Sequence, residues 1–100
     1  MSIVDVVPAA VNVSSLTESV ISGEMAATTA AGSAALTGVV PMAASADDVA
    51  FATAMAAAGG AYLGAAGAHT GQRAAYSAGQ SVASVSYVLN ELISAAKFSF

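Results

Sequence analysis

The stretch TGVVPMAASADD, residues 37–48, decides the fold. A glycine, two β-branched valines and Pro41 interrupt any helix, while Ser45 followed by Asp48 is the pattern of a helix capping box. Pro8 suits the first turn of an earlier helix. The sequence therefore predicts helix 1 over about 8–36, a loop over about 37–45 and helix 2 over about 46–94.

The predicted fold class is all-α. No sustained alternation of apolar and polar residues favours a strand, so we expect an elongated antiparallel two-helix hairpin, a single domain over residues 1–100. On helix 1 apolar or small residues recur at steps of three and four, and Glu18 and Glu24 are expected to face outward. That stripe consists of Val13, Leu16, Val20, Gly23 and Ala27.

Alanine supplies much of the apolar content, which limits the core. Hydrophobic residues make up 57% of the 100 residues, but 27 of the residues are alanine. A buried methyl group contributes little at about 25 cal/mol per Å². A two-helix hairpin also buries only one face of each helix. We therefore expect a partner protein that completes a four-helix bundle.

The charge, the lack of cysteine and the N-terminal segment argue against several classes of function. Two basic residues against six acidic ones give a net charge of −4, and there is no cysteine. Without a basic patch we expect no nucleic-acid binding, and without cysteine no disulfide or thiolate site. The N-terminus carries Asp5 and no basic residue before its apolar stretch, so we expect no cleavable signal peptide.

Helix 2 carries two stripes on opposite sides of its axis. The large-residue stripe recurs every seven positions, and the glycine stripe follows helical spacing. The glycine stripe predicts close packing against another helix, because interior glycines otherwise cost about 1 kcal/mol each. The large-residue stripe, together with Phe51, Leu16 and Val20, is predicted to pack in the bundle, partly against helix 1 and partly against the partner. The large-residue stripe is Met55, Tyr62, His69 and Tyr76, and the glycine stripe is Gly60, Gly64, Gly67 and Gly71.

The glycine stripe has two other possible interpretations, a phosphate-binding loop and a membrane span. A phosphate-binding loop needs glycines bunched before a helix start, which this sequence lacks. The segment Val49–Ala68 is uncharged and long enough to span a membrane. Its alanine and glycine content gives only a weak signal for membrane insertion. The alternative function is therefore a small membrane or self-assembling structural protein that uses a GxxxG helix interface.

Catalysis is not indicated by any motif. His69 is the single histidine and has no ligand-type neighbour at metal-binding spacing. No GxSxG motif accompanies the many serines. We expect no enzyme, no catalytic residue, no metal and no cofactor.

Tyr87 and Glu91, in SYVLNE, are one helical turn apart near the end of helix 2. The chain resembles the mycobacterial PE family over its whole length. The resemblance is carried by this pair, by the MSIV opening, by Pro8, and by TGVVP followed by ADDV in the loop. Ala9 follows Pro8 where that family has glutamate.

The resemblance implies a noncatalytic protein exported by a type VII (ESX) secretion system. It implies a 1:1 heterodimer with a PPE-family protein, and a secretion chaperone that holds the PPE subunit only. Tyr87 and Glu91 match the YxxxD/E secretion signal read by the type VII machinery. The implied location is outside the cell or at the surface of the cell envelope.

Overall fold

The computed structural model describes residues 5–99, so the MSIV opening lies outside the described residues. Two helices make up the fold, α1 at Pro8–Thr37 and α2 at Ala46–Lys97. They pack antiparallel, as the sequence predicts. α2 is uninterrupted over 52 residues and ends at Lys97, not near 94. It continues because no proline follows Pro41 to force an earlier end.

The two helices begin in different ways. At α2 the hydroxyl of Ser45 accepts a hydrogen bond from the Asp48 backbone N–H at 3.2 Å and donates one to the Asp48 carboxylate. This confirms the predicted cap, and Asp47 adds a second acid at the positive end of the helix dipole. At α1 the carbonyl of Val7 accepts the N–H groups of Ala10 and Val11, and the first turn carries no acid.

The chain divides into two compact units. The terminal unit contains the chain up to Ile21 and the chain from Arg73 onward, and the loop unit contains Ser22–Gln72. Each unit is built from a part of α1 and a part of α2. In each unit the two parts face one another along a seam, the set of buried and half-buried positions between them.

The seam follows a heptad-like pattern on both helices, with steps of three and four residues. Its side chains are mostly small or polar. On α1 the seam includes Val11, Ser15, Glu18, Ser22, Met25, Thr29 and Leu36, and on α2 it includes Ala52, Ala56, Gly59, Leu63, Ala66, Thr70, Arg73, Ser77, Gln80 and Ser84.

Serine hydroxyls join the helices in the terminal unit. Ser15 Oγ donates to the carbonyl of Ser77 at 2.8 Å, and Ser77 Oγ donates back to the carbonyl of Ser15 at 2.7 Å. The hydroxyls of Ser15 and Ser81 lie 2.7 Å apart. Gln80 Nε2 donates to Ser14 Oγ at 2.7 Å. These directional bonds fix the register between the two helix parts.

An ion pair corrects one expectation. Glu18 does not face outward, because its carboxylate meets Arg73 across the seam, with Nε to Oε2 at 3.1 Å. A second, longer contact joins Arg73 Nη2 to Oε1 at 3.4 Å. Both side chains are largely screened from solvent, at 20% exposed for Glu18 and 35% for Arg73. The prediction failed because it placed the inner face of α1 on the apolar stripe.

The backbones of α1 and α2 approach closely at Gly59 in the loop unit. A Cβ built on Gly59 would lie 2.0 Å from the carbonyl oxygen of Leu36 and 2.7 Å from its carbon. Any side chain there would collide with the α1 backbone, so this position requires glycine. The helical spacing of the glycines predicts close packing at the neighbouring Gly60 instead.

Candidate partner-binding surface

The apolar stripe of α1 lies outside the seam. At about 100° per residue, Val13, Leu16 and Val20 lie on the side of α1 that faces away from the seam position Ser15. Leu16 is 67% exposed, whereas Ser15 is buried at 6%. The stripe predicted from the sequence exists, but no residue of the described chain covers it.

The large-residue stripe of α2 is exposed as well. Met55, Tyr62, His69 and Tyr76 all lie outside the seam, as does Phe51. The expectation that some of them pack against helix 1 stays a prediction, and Tyr62 shares an open hollow with Thr28 and Leu36 of α1. Alanine, glycine and serine occupy most of the seam on α2, so the helices approach closely there and the large residues stand beside the seam. Their packing against a partner stays a prediction.

The glycine stripe is open. Among the described residues no atom lies within 4 Å of a Cβ built on any of its four members, which are Gly60, Gly64, Gly67 and Gly71. In the loop unit the seam positions Gly59, Leu63 and Ala66 lie between the glycine stripe and the large-residue stripe around the helix axis. The predicted close packing is therefore not made within the hairpin and stays a prediction for a second molecule.

The C-terminal part of α2 bears the motif pair and a further apolar stripe. Tyr87 and Glu91 are exposed on one side. A shallow open hollow beside Tyr87 is lined by Ala83, Ser86 and Asn90. The opposite side carries exposed apolar side chains, namely Val82, Val85, Leu89, Leu92 and Ile93.

The burial of the chain is inverted relative to a globular core. Among the described residues the single buried hydrophobic side chain is Ala52, while the buried polar ones are Ser15, Ser22, Ser77 and Ser84. These serines were not predicted to form the inner face because serine carries no hydrophobic signal. Their three- and four-residue spacing with Glu18 and Arg73 is the signal that was available.

Both helices expose large apolar side chains. On α1 Leu16 is 67% exposed, and on α2 Phe51 is 68% and Leu92 63% exposed. Extended apolar patches on a protein surface mark sites of interaction with other molecules. The exposed apolar surface thus indicates a protein partner.

The described residues show no cluster of three or more potential metal ligands. α2 is long and apolar enough to cross a membrane by length and composition alone, with 11% of its most apolar window buried. Core helices of soluble proteins and signal sequences also meet this criterion of length and composition, so it is weak evidence for a membrane span.

The chain is thus an all-α hairpin with unpartnered apolar faces. No family model, curated protein or solved structure matches it.

Proposed function

We propose that this chain is a noncatalytic substrate of a type VII secretion system, one half of a 1:1 heterodimer with a PPE-family protein. The observation that supports the proposal is the inverted burial, with serines inside the hairpin and nearly all large apolar residues outside. Such a hairpin is incomplete until a second apolar surface covers it. The resemblance to the PE family supplies the identity of that partner.

Export is assigned to Tyr87 and Glu91. Both are exposed, and neither belongs to the hydrogen-bonded part of the seam. Replacement of either residue by alanine should therefore leave the hairpin intact and abolish secretion into the culture medium. Tyr87→Phe and Glu91→Asp are the matched controls, because the YxxxD/E pattern accepts either acid and the Phe variant keeps the ring. Normal secretion of both alanine variants would remove the export assignment.

The heterodimer is tested by coexpression. Produced alone, the chain should aggregate or be weakly helical, and with a PPE-family protein it should form a soluble 1:1 helical complex. A stable, fully helical monomer would contradict the proposal.

A paired substitution locates the interface on α1. Leu16→Asp places a charge on the exposed apolar stripe and should reduce partner capture at least tenfold, since a buried unpaired charge costs several kcal/mol. Thr17→Asp is the control, because Thr17 is also exposed and points about 100° away from Leu16. Equal capture of the two variants would exclude this stripe from the interface.

The membrane alternative follows from the apolar length of α2. In that case the glycine stripe would join helices within lipid. Carbonate extraction of membranes separates the two functions, because a spanning helix resists extraction and a secreted hairpin is released.

A further inference from the structure

The glycine stripe and the apolar stripe near the end of α2 lie on the same side of that helix. The C-terminal apolar stripe consists of Val82, Val85, Leu89, Leu92 and Ile93, whose exposed fractions lie between 53% and 66%. At about 100° per residue, Val85 takes the same angular position as Gly67, and the mean directions of the two stripes coincide. Because α2 is uninterrupted, one face of it carries small residues in its middle part and large residues near its end.

The spacing of the two stripes matches when one of them is read backwards. The last three glycines of the glycine stripe span seven residues, in steps of three and four. The first three members of the C-terminal apolar stripe also span seven residues, in steps of four and three from the C-terminal side. Two antiparallel α2 helices can therefore place a large side chain opposite each of these glycines. The facing residues are then Gly64 and Leu89, Gly67 and Val85, and Gly71 and Val82.

We propose that the C-terminal apolar stripe of one copy of this chain packs on the glycine stripe of a second copy, in an antiparallel α2 pair that joins two heterodimers. Because each copy carries both stripes on one helix, the contact is made twice about a twofold axis. Near that axis Ala74 of one copy faces Ala78 of the other, and these small side chains allow close approach. The pairing needs only this chain and does not depend on the identity of the partner in the proposed function.

An open hollow in the loop unit receives the second copy. It is lined by Ala26, Ala30 and Ser33 of α1 and by Leu63, Gly67 and Thr70 of α2. The hydroxyls of Ser33 and Thr70 are already used, because they donate to backbone carbonyls of their own helices at 2.8 and 2.9 Å. No described atom lies within 4 Å of a Cβ built on Gly67. An apolar side chain therefore fits this hollow, and Val85 of the second copy lies at its level.

Charge does not oppose a second copy on this face, although each chain has a net charge of −4. Between Asp48 and Glu91 the single charged residue of α2 at pH 7 is Arg73, which pairs with Glu18. Arg73 and Glu91 lie about 150° from the glycine stripe around the helix axis, so neither enters the contact. The antiparallel direction also places opposite ends of the two helix dipoles next to each other.

The contact is long enough for a specific pair. From Gly60 to Ile93 the overlap covers 34 residues, or about 50 Å of helix at 1.5 Å per residue. A face about 50 Å long and about 10 Å wide measures about 500 Å² on each copy, and the α1 side of the hollow adds to it. The total of about 1,000 Å² reaches the area of a specific interface. The large-residue stripe lies on the opposite side of α2, which leaves it to the partner.

An exchange of one facing pair tests the proposal on the full chain in its 1:1 complex with the partner. Gly67→Val fills the hollow and should raise the dissociation constant of the α2 pair at least about tenfold in sedimentation equilibrium. Gly67→Val combined with Val85→Gly exchanges the two facing residues and should restore the constant to within about threefold of the parent. Gly79→Val should leave the constant unchanged, because Gly79 is as open as Gly67 but points about 120° away from it.

Cysteine crosslinking tests the geometry directly, since the chain has no cysteine of its own. Under oxidising conditions the double variant Ala74→Cys, Ala78→Cys should form a disulfide-linked dimer of this chain, because the two positions face one another near the axis. The double variant Ala54→Cys, Ala58→Cys is the control. It has the same spacing on the opposite side of α2 and should stay unlinked.

Each other result overturns the α2 pairing. These results are a parent complex that keeps one copy of each chain at about 100 µM, equal constants for Gly67→Val and Gly79→Val, an exchange that restores nothing, and equal crosslinking of the two cysteine variants. Loss of the partner in Gly67→Val would assign the hollow to the partner instead. The proposed function fails separately, when the parent chain does not co-purify with a PPE-family protein. Crosslinking in cell lysates then still tests the pairing.

Discussion

Gly59→Ala should destabilise the hairpin although alanine is the better helix former. The added Cβ would lie 2.0 Å from the carbonyl oxygen of Leu36 and 3.2 Å from the Cβ of Leu36. Ordinary contacts of a Cβ lie at 3.4–4 Å. The nearest obstacle is backbone, which cannot rotate away as a flexible side chain would. The helices of the loop unit must therefore separate by more than 1 Å or tilt.

The sign of the effect follows from two opposing magnitudes. Replacing an interior glycine by alanine stabilises a helix by about 0.5–1 kcal/mol. Overpacking a close contact costs about 1–3 kcal/mol, and a backbone obstacle places Gly59 in the upper half of that range. We expect a net loss of about 1–2 kcal/mol. In Gly60→Ala the same gain has no opposing cost, because no described atom lies within 4 Å of the added Cβ. That variant should be stabilised by about 0.5–1 kcal/mol.

The adjacent glycines make a matched pair for urea denaturation of the chain in its 1:1 complex with the partner, at equal complex concentration, followed by far-ultraviolet circular dichroism. A difference of about 2 kcal/mol between the variants corresponds to a shift of about 1 M in the urea midpoint at a slope of about 2 kcal/mol per M. Gly59→Ala should lie below the parent and Gly60→Ala above it. If Gly59→Ala is as stable as Gly60→Ala, the close approach of α2 to Leu36 is wrong.

Two further pairs of measurements test the polar seam. Ser77→Ala removes a hydrogen bond to Ser15 and should lower the free energy of unfolding by about 1–2 kcal/mol. Ser22→Ala removes a buried hydroxyl that has no described partner, so its effect on stability should be neutral or favourable. Equal losses in urea titrations would contradict the assigned bonds. Glu18→Gln should cost about 1 kcal/mol or less at low salt, and the loss should shrink as salt screens the pair with Arg73. A loss that salt does not change would argue against an ionic contribution.

The elements of the fold were predictable because their signals are local. Pro41 with its flanking residues, and Ser45 with Asp48, mark the loop and the start of α2 within a few positions of the chain. The end of α2 was less predictable, because no residue after Gly79 forces a stop and the helix simply continues to Lys97.

The inner face was not predictable from hydrophobicity. An apolar stripe normally marks the buried side of a helix, and Leu16 and Val20 satisfy that rule. In this chain Ser15 and Glu18 are inside because Ser77 and Arg73 stand opposite them with matching hydrogen bonds and charge. Such pairings join residues more than 50 positions apart. A single helix examined alone does not reveal them.

The polar seam determines the register of the two helices, whereas the apolar outer faces supply most of the stability once they are covered. Serine hydrogen bonds contribute about 1 kcal/mol each, but they hold only when donor and acceptor are aligned. They select one register of α1 against α2 without supplying a large driving force. That force must come from the exposed apolar residues, which contribute about 25 cal/mol per Å² once covered. A partner that covers them stabilises the hairpin by about 2.7 kcal/mol at a concentration 100 times its Kd. The stability of the chain should therefore rise with partner concentration. The register of the two helices should not change, because the hydrogen bonds of the seam already fix it.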